Sequence, residues 1–260
     1  MSLLRRIHRR ILTPITLPSS VHGAVQGRSP RTNAEEHLAS KCVVKVDVQK
    51  FFDKVRHEFV YRMFRHELGF GTGVSRLLTR LTTRGSSLPQ GTPTSPAIAN
   101  LLLIPIDGRL QGQSIVCGVK ITRFVDDITV SGDDPRNLIN VIARLLSSRR
   151  LPIHRAKKDR KVSKLQIIGR SSRQEVTGLV VNGSKPSIAK VRRDKVRAAI
   201  HQLTSAEDPS QARSIAGRIE HVRRYNPGSA KRLTRQLETI KSVSKAGDGS
   251  KAVPPIGPER

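Results

Sequence analysis

Asp126 and Asp127 stand side by side between two apolar runs, Ile115–Thr122 and Ile128–Ser131, with Arg123-Phe124-Val125 leading into the pair. Runs this rich in Ile, Val and Thr read as strands. The segment therefore predicts a hairpin with two carboxylates at its tip. Adjacent carboxylates repel, and a turn that points both toward one place suggests a cation between them. Asp133-Asp134 repeats the dipeptide but runs into Pro135 and reads as a solvated turn. A hairpin demands antiparallel pairing, and the other elements follow no regular βαβ rhythm. The expected fold is α+β: an antiparallel sheet with helices on one face, followed by a helical module.

A third carboxylate belongs with this pair. Cys42–Val48 is a valine-rich strand with Asp47 near its end, where burial without a partner would be costly. Phosphoryl transfer from a nucleoside triphosphate needs two divalent metals that clamp the attacking and leaving oxygens. Carboxylates suit hard Mg²⁺, which keeps several waters and binds substrate phosphates. Such a site wants aspartates at strand ends, gathered from distant sequence.

Along the chain, Leu3, Leu4, Ile7 and Ile11 share a helical face, and Pro14, Pro18 and Ser19-Ser20 break it. A Gly- and Ser-containing loop runs through Pro30. Asn33–Ser40 reads as a short helix capped near Thr32 or Asn33. Helices are expected over 56–68 and 73–83, a proline-punctuated loop over Leu88–Pro96, and a buried helix over Ala97–Leu110 despite Pro105. Asn137–Arg149 is amphipathic, and short strands are expected near 165–169 and 175–182. From Ser187 the pattern is helical and very basic, in about three segments. Ile188, Val191, Val196, Ala199 and Ile200 can pack those helices together. The composition of 244–260 reads as a disordered tail.

Charge narrows the partners. The chain carries 48 Lys+Arg against 20 Asp+Glu, a net of +28, and residues 131–260 hold +18 of it. Such an excess destabilises a compact fold by self-repulsion unless a polyanion neutralises it, and nucleic acid is the usual polyanion. The bland alternative is a solvated surface. A membrane surface is disfavoured, because no long amphipathic stretch sets large apolar residues opposite a basic face. No run of 18 apolar residues exists, so no spanning helix is expected. Residues 1–34 carry six arginines and no acid, in the style of a transit peptide or of a basic helix, Leu3–Leu12, on the nucleic-acid surface. Cys42 and Cys117 each sit beside valine and read as core thiols of a reducing compartment, with no metal motif or disulfide framework. A cytoplasmic protein is expected.

Three segments together carry a family resemblance. Val-Asp-Val-Gln-Lys-Phe-Phe (46–52), Leu-Pro-Gln-Gly-Thr-Pro-Thr-Ser-Pro (88–96) and Arg-Phe-Val-Asp-Asp (123–127) resemble, in order and spacing, three motifs of reverse transcriptases. Asn33-Ala34-Glu35-Glu36-His37 and Val176-Thr177-Gly178 are similar to two further elements of the retron type. The resemblance implies a right-hand fold. Partial fingers would lie in 1–40, an antiparallel palm in 41–185 with a fingers insertion at about 56–87, and a helical thumb in 186–243.

By the same resemblance, Asp47 and Asp126 ligate two Mg²⁺ ions and Asp127 assists. Phe52 matches the steric gate against a ribose 2′-hydroxyl, Phe51 being core, though plain packing would also explain Phe52. Gln90 matches a contact to the incoming nucleotide, or is a turn residue after Pro89. Lys157 or its neighbour Lys158 would approach the triphosphate. Asn33, His37, Val176, Thr177 and Gly178 would serve RNA binding. For His37 a structural hydrogen bond is the alternative, and for 176–178 a plain strand and turn. Arg192, Arg193 and Arg197 would grip RNA phosphates from the thumb.

The implied activity is RNA-directed DNA synthesis on a dedicated structured non-coding RNA serving as template and primer, giving an RNA–DNA product. An effector protein and antiviral defence complete that picture. Two departures stand out. The hairpin has Phe124-Val125 where the family shows Tyr-Ala. The family also places a basic fingers hairpin ahead of the helix that opens this chain. Arg9, Arg10 or Arg28 would then supply its cations, or catalysis is impaired and the chain is an RNA-binding scaffold. A group II intron type is a further alternative, for whose extra domains this chain has no room.

Overall fold

The structure is a computed structural model and describes residues 2–153, 165–203 and 209–247. It divides into two compact units, Met1–Pro186 and Ser187–Arg260.

The first unit opens with α1 (Ser2–Ile7), continued in wider π geometry by His8–Leu12. Then come α2 (Pro30–Glu35), β1 (Cys42–Asp47), α3 (Phe51–Lys54), α4 (His57–Arg62) with a π turn over Met63–Glu67, α5 (Thr72–Thr82) and α6 (Ser95–Val116). β2 (Lys120–Phe124), β3 (Asp127–Gly132), α7 (Leu138–Ser147), β4 (Gln166–Gly169), β5 (Glu175–Val176) and β6 (Leu179–Val180) complete it.

Four strands form one antiparallel sheet in the order β2-β3-β1-β4. Side chains alternate across it. Val44, Val46, Ile121, Ile128 and Val130 join the main apolar core with Ile98, Leu101 and Leu103 of α6 and Ile142 and Leu146 of α7. The other face carries Thr122 and Ser131, against which His37 is buried. The expected α+β class, with an antiparallel sheet and helices, is what the chain adopts.

Several boundaries differ from the sequence reading. α6 runs to Val116, so Ile115 and Val116 close a helix and do not open a strand. Gly118 at φ 62° ends it, with the Val119 N–H on the Ser114 carbonyl at 3.0 Å, an αL helix terminus that apolar content alone does not announce. Cys117 is therefore an exposed helix end, not a core thiol, whereas Cys42 is buried. α2 begins three residues earlier than expected: Ser29 caps it reciprocally with Thr32, and Pro30 sits in its first turn, where its missing N–H costs nothing. Residues 175–182 form a hairpin, not one strand.

The second unit holds α8 (Lys190–His201), α9 (Pro209–Arg223) and α10 (Pro227–Gly247). Val196, Ile200, Ile215, Ile219, Leu233 and Leu237 make its core. Ile188 is buried as expected, but Val191 is exposed, because it falls on the outer face of α8. Residues 244–247, expected to open a disordered tail, belong to α10 instead, and 248–260 lie outside the described residues. Among the described residues no helix is long and apolar enough to cross a membrane.

Candidate catalytic site at the hairpin tip

The β1–β3 register makes Asp47 and Asp127 Cα partners, so strand pairing brings together carboxylates 80 residues apart in sequence. The β2–β3 register pairs Phe124 with Asp127, which leaves Val125-Asp126 as a two-residue turn. The Asp127 carboxyl is hydrogen-bonded to that of Asp47 and is pushed up to about 6. Loss of solvation against the sheet end is the largest cause, followed by the negative charges of Asp126 and Asp47. Lys45 pulls the other way. Two carboxyls share a hydrogen bond only if one keeps a proton, and a cation would remove that need.

The donor set therefore fits hard divalent ions. Among the described residues, no group of three or more Asp, Glu, His or Cys side chains is arranged to hold an ion by itself. Mg²⁺, which keeps water and takes substrate phosphates, requires no all-protein cage.

Sequence reasoning missed what holds this tip. Val125 sits at φ 60°, unusual for a β-branched residue. The Arg123 side chain, 3% exposed, spends all five N–H donors on it and its surroundings. Nε and Nη2 grip the two Asp107 carboxylate oxygens at 2.8 and 2.6 Å. Nη1 reaches the Asn100 side-chain oxygen at 2.8 Å and the Val125 carbonyl at 2.7 Å. Nη2 also approaches the Asn100 carbonyl at 3.4 Å.

The Asn100 amide donates to the Gly23 carbonyl at 2.8 Å, and Gly23 lies so close to the turn that a Cβ there would be 2.5 Å from the Val125 nitrogen. The loop through Gly23 is an ordered strap. Val21 bridges Arg123 in parallel, with the His22 N–H on the Arg123 carbonyl and the Arg123 N–H on the Ser20 carbonyl, both at 2.8 Å. A charged residue amid a strand, facing Asn100 and Asp107 inside an apolar helix, was the available signal.

Around the tip, Phe51 is buried and Phe52 half-buried, edge-on to it at 5.4 Å, so Phe52 keeps a face for other contacts. Gln90 is exposed in a loop folded back by Thr92, which bonds Ser95 at 2.7 Å, and by Ser95 on the Pro89 carbonyl. Lys157 and Lys158 lie outside the described residues. Of the three arginines expected to replace a fingers hairpin, Arg9 and Arg10 are exposed. The Arg28 guanidinium is instead drawn onto the Pro18 and Val21 carbonyls, where it fastens the strap.

His37 is fully buried, with Nδ1 on the Ser131 hydroxyl and Nε2 on that of Thr122, both at 2.7 Å. Burial pulls its pKa down to about 3. That geometry corrects the reading of His37 as an RNA contact: the ring has no nitrogen left to offer, and the structural hydrogen bond is what it makes. Val176 is buried too. Asn33 is 1% exposed, and neither polar atom of its amide has a partner among the described residues. Thr177 donates to the Pro30 carbonyl at 2.8 Å, so the 176–178 turn packs on α2, the helix that carries Asn33.

In the second unit Arg192 is exposed, and a groove of about 410 Å³ between α8 and α9 is lined by Arg192, Lys195, Arg218 and His221. Arg197 is exposed beside Asp194 at 2.9 Å. Arg193 turns inward to the Ser229 hydroxyl at 2.7 Å, a brace between α8 and the start of α10.

Comparison with known proteins points one way. The sequence model of the family described as reverse transcriptase (RNA-dependent DNA polymerase) matches residues 2–171. Curated relatives include Retron Mx65 reverse transcriptase of Myxococcus xanthus, 32% identical over 90% of this chain and 58% of its own length. Retron Ec86 reverse transcriptase of Escherichia coli is 29% identical over 83% of this chain and 63% of its own. Retron Mx162 reverse transcriptase of Myxococcus xanthus is 31% identical over 93% and 56%. The chain thus spans about three-fifths of the length of these relatives.

Proposed function

Because the chain belongs to the reverse transcriptase (RNA-dependent DNA polymerase) family, we propose that it copies RNA into DNA at the tip of the β2–β3 hairpin. The observation that carries this reading is the approach of Asp47, Asp126 and Asp127 at the sheet end, where lost solvation first and the neighbouring negative charges second raise Asp127 to about 6. Two Mg²⁺ ions bound here would supply charge stabilisation for phosphoryl transfer. Asp47 and Asp126 would hold both, and Asp127 would assist. Phe52 and Gln90 would face the incoming nucleotide, with Phe52 leaving no room or partner for a 2′-hydroxyl.

Likeness to retron enzymes extends the reading to a dedicated structured non-coding RNA as template and primer, with an effector protein and an antiviral role. Fingers, palm and thumb would be 1–40 with 56–87, the rest of 41–185, and 186–243. The exposed arginines of α8 and the groove beside them suit RNA, which is gripped through phosphates, 2′-hydroxyls and shape. Asn33, Thr177 and Gly178 would add RNA contacts.

The test is primer extension on an RNA template with dNTPs and Mg²⁺. Extension that chelation abolishes is the expected result. Absence of extension in Mg²⁺ or Mn²⁺ while RNA is still bound would replace this reading with that of an RNA-binding scaffold.

A further inference from the structure

The candidate site is set on a turn that the chain has no local reason to form. In a two-residue turn with only its first central residue at positive φ, glycine is the residue that fits. This chain has Val125, at φ 60°, a conformation that persists only where its surroundings over-determine it. A buried guanidinium is itself costly to desolvate. Here it is fully satisfied, and one of its five bonds goes to the carbonyl of the strained residue.

We propose that Arg123, clamped by Asp107 and Asn100, is a positioning residue for metal binding: its grip on the Val125 carbonyl, with Gly23 packed against the Val125 nitrogen, sets the direction of Asp126 and Asp127. Three separated stretches meet in this device: the strap at Gly23, α6 at Asn100 and Asp107, and β2 at Arg123 with the turn it leads into. Arg123 is too buried to touch nucleic acid or nucleotide. Its influence runs through the backbone of the residue preceding Asp126. Lysine would keep the charge but has three donors on a point, not five in a planar fork. It cannot hold Asp107, Asn100 and the Val125 carbonyl together.

The inference rests on the carboxylate site proposed above, and the experiment separates the two. Mn²⁺ binding to the full chain without nucleic acid is measured by electron paramagnetic resonance, with thermal melts to show that each variant is folded. Wild type should bind Mn²⁺. If it does not, the site and this inference both fall. Arg123→Lys should weaken Mn²⁺ about tenfold or more, as loss of an orienting partner does.

In a Val125→Gly background the same substitution should cost less than about threefold, because glycine reaches φ 60° unaided. A residue that merely stabilised the fold would cost the same in both backgrounds, and that result overturns the proposal while leaving the site standing. So does wild-type Mn²⁺ affinity in Arg123→Lys. Should Arg123→Lys not fold, Asn100→Ala removes one anchor of the guanidinium and the tie to Gly23 but spares the pair with Asp107. It should weaken Mn²⁺ by about threefold or more and show the same dependence on Val125, and additivity there would overturn the proposal as well.

Discussion

Phe124-Val125-Asp126-Asp127 and Val176-Thr177-Gly178-Leu179 are both two-residue turns with a β-branched residue at positive φ, Val125 at 60° and Thr177 at 46°. The second is locally reasonable. Gly178 follows at φ 82°, so both central residues are positive, the pattern that hairpin twist favours, and one hydroxyl bond to Pro30 anchors it. The first has no glycine and is held from outside by a buried guanidinium, an amide and a glycine of a distant strap.

Strain of this kind costs about 1–3 kcal/mol. It is concentrated at the tip that carries Asp126 and Asp127, and eased at the 176–179 hairpin. One short segment serves both: Pro30 of α2 accepts from Thr177, and His37 beyond it ties β2 to β3 through Thr122 and Ser131.

The contrast between the two turns breaks if Asp126→Asn still extends primers. We expect a loss on the order of 10²-fold or more in rate, with thermal stability and RNA retention close to wild type. The same assay on Thr177→Val should show no loss of comparable size.

The shared brace is tested by acid. His37 is held neutral in the folded protein at a pKa of about 3, against 6.5 when unfolded. The unfolded state therefore takes up the proton first as pH falls. The stability His37 contributes is complete above pH 6.5 and is lost as pH drops toward 3, on the order of a few kcal/mol in all. Asp127 runs the opposite way: its raised pKa makes the folded state the better proton binder, so its term falls as pH rises through about 4 to 6. Urea unfolding of wild type and His37→Gln between pH 4 and 7, in chelator, isolates the histidine. Parallel pH profiles for the two proteins would remove it as the brace.

Close approach at the first turn sharpens the comparison further. Gly23→Ala puts a Cβ 2.5 Å from the Val125 nitrogen and 2.9 Å from the Phe124 carbonyl carbon, and backbone must move. A cost of about 1–3 kcal/mol is expected, together with weakened metal-dependent extension. An alanine that melts and extends like wild type would mean that the strap does not press on the tip.

Least is expected of Thr177→Val, which loses one exposed hydroxyl bond worth about 1 kcal/mol. A loss several times larger in thermal unfolding would show that the second turn is as dependent on its anchor as the first.

What sequence alone determined was local or repetitive. Aliphatic runs announced β1 and the β2–β3 hairpin, a paired aspartate marked the tip, and Asp47 stood at a strand end, because period-2 burial and turn chemistry act over a few residues. The excess of basic residues marked the helical end of the chain in the same way. Where two local signals competed, the reading slipped: Ile115 and Val116 suit strand or helix equally, and Gly118 decided for helix.

Tertiary structure alone decided which polar residues guard the site. Arg123 finds Asp107 at 16 residues' distance and Asn100 at 23, and Asn100 finds Gly23 at 77. His37 crosses 85 and 94 residues to Thr122 and Ser131. No periodicity records such pairings. They form because a buried donor must find an acceptor once the sheet and α6 have packed, and only the packed chain says which acceptor is in reach.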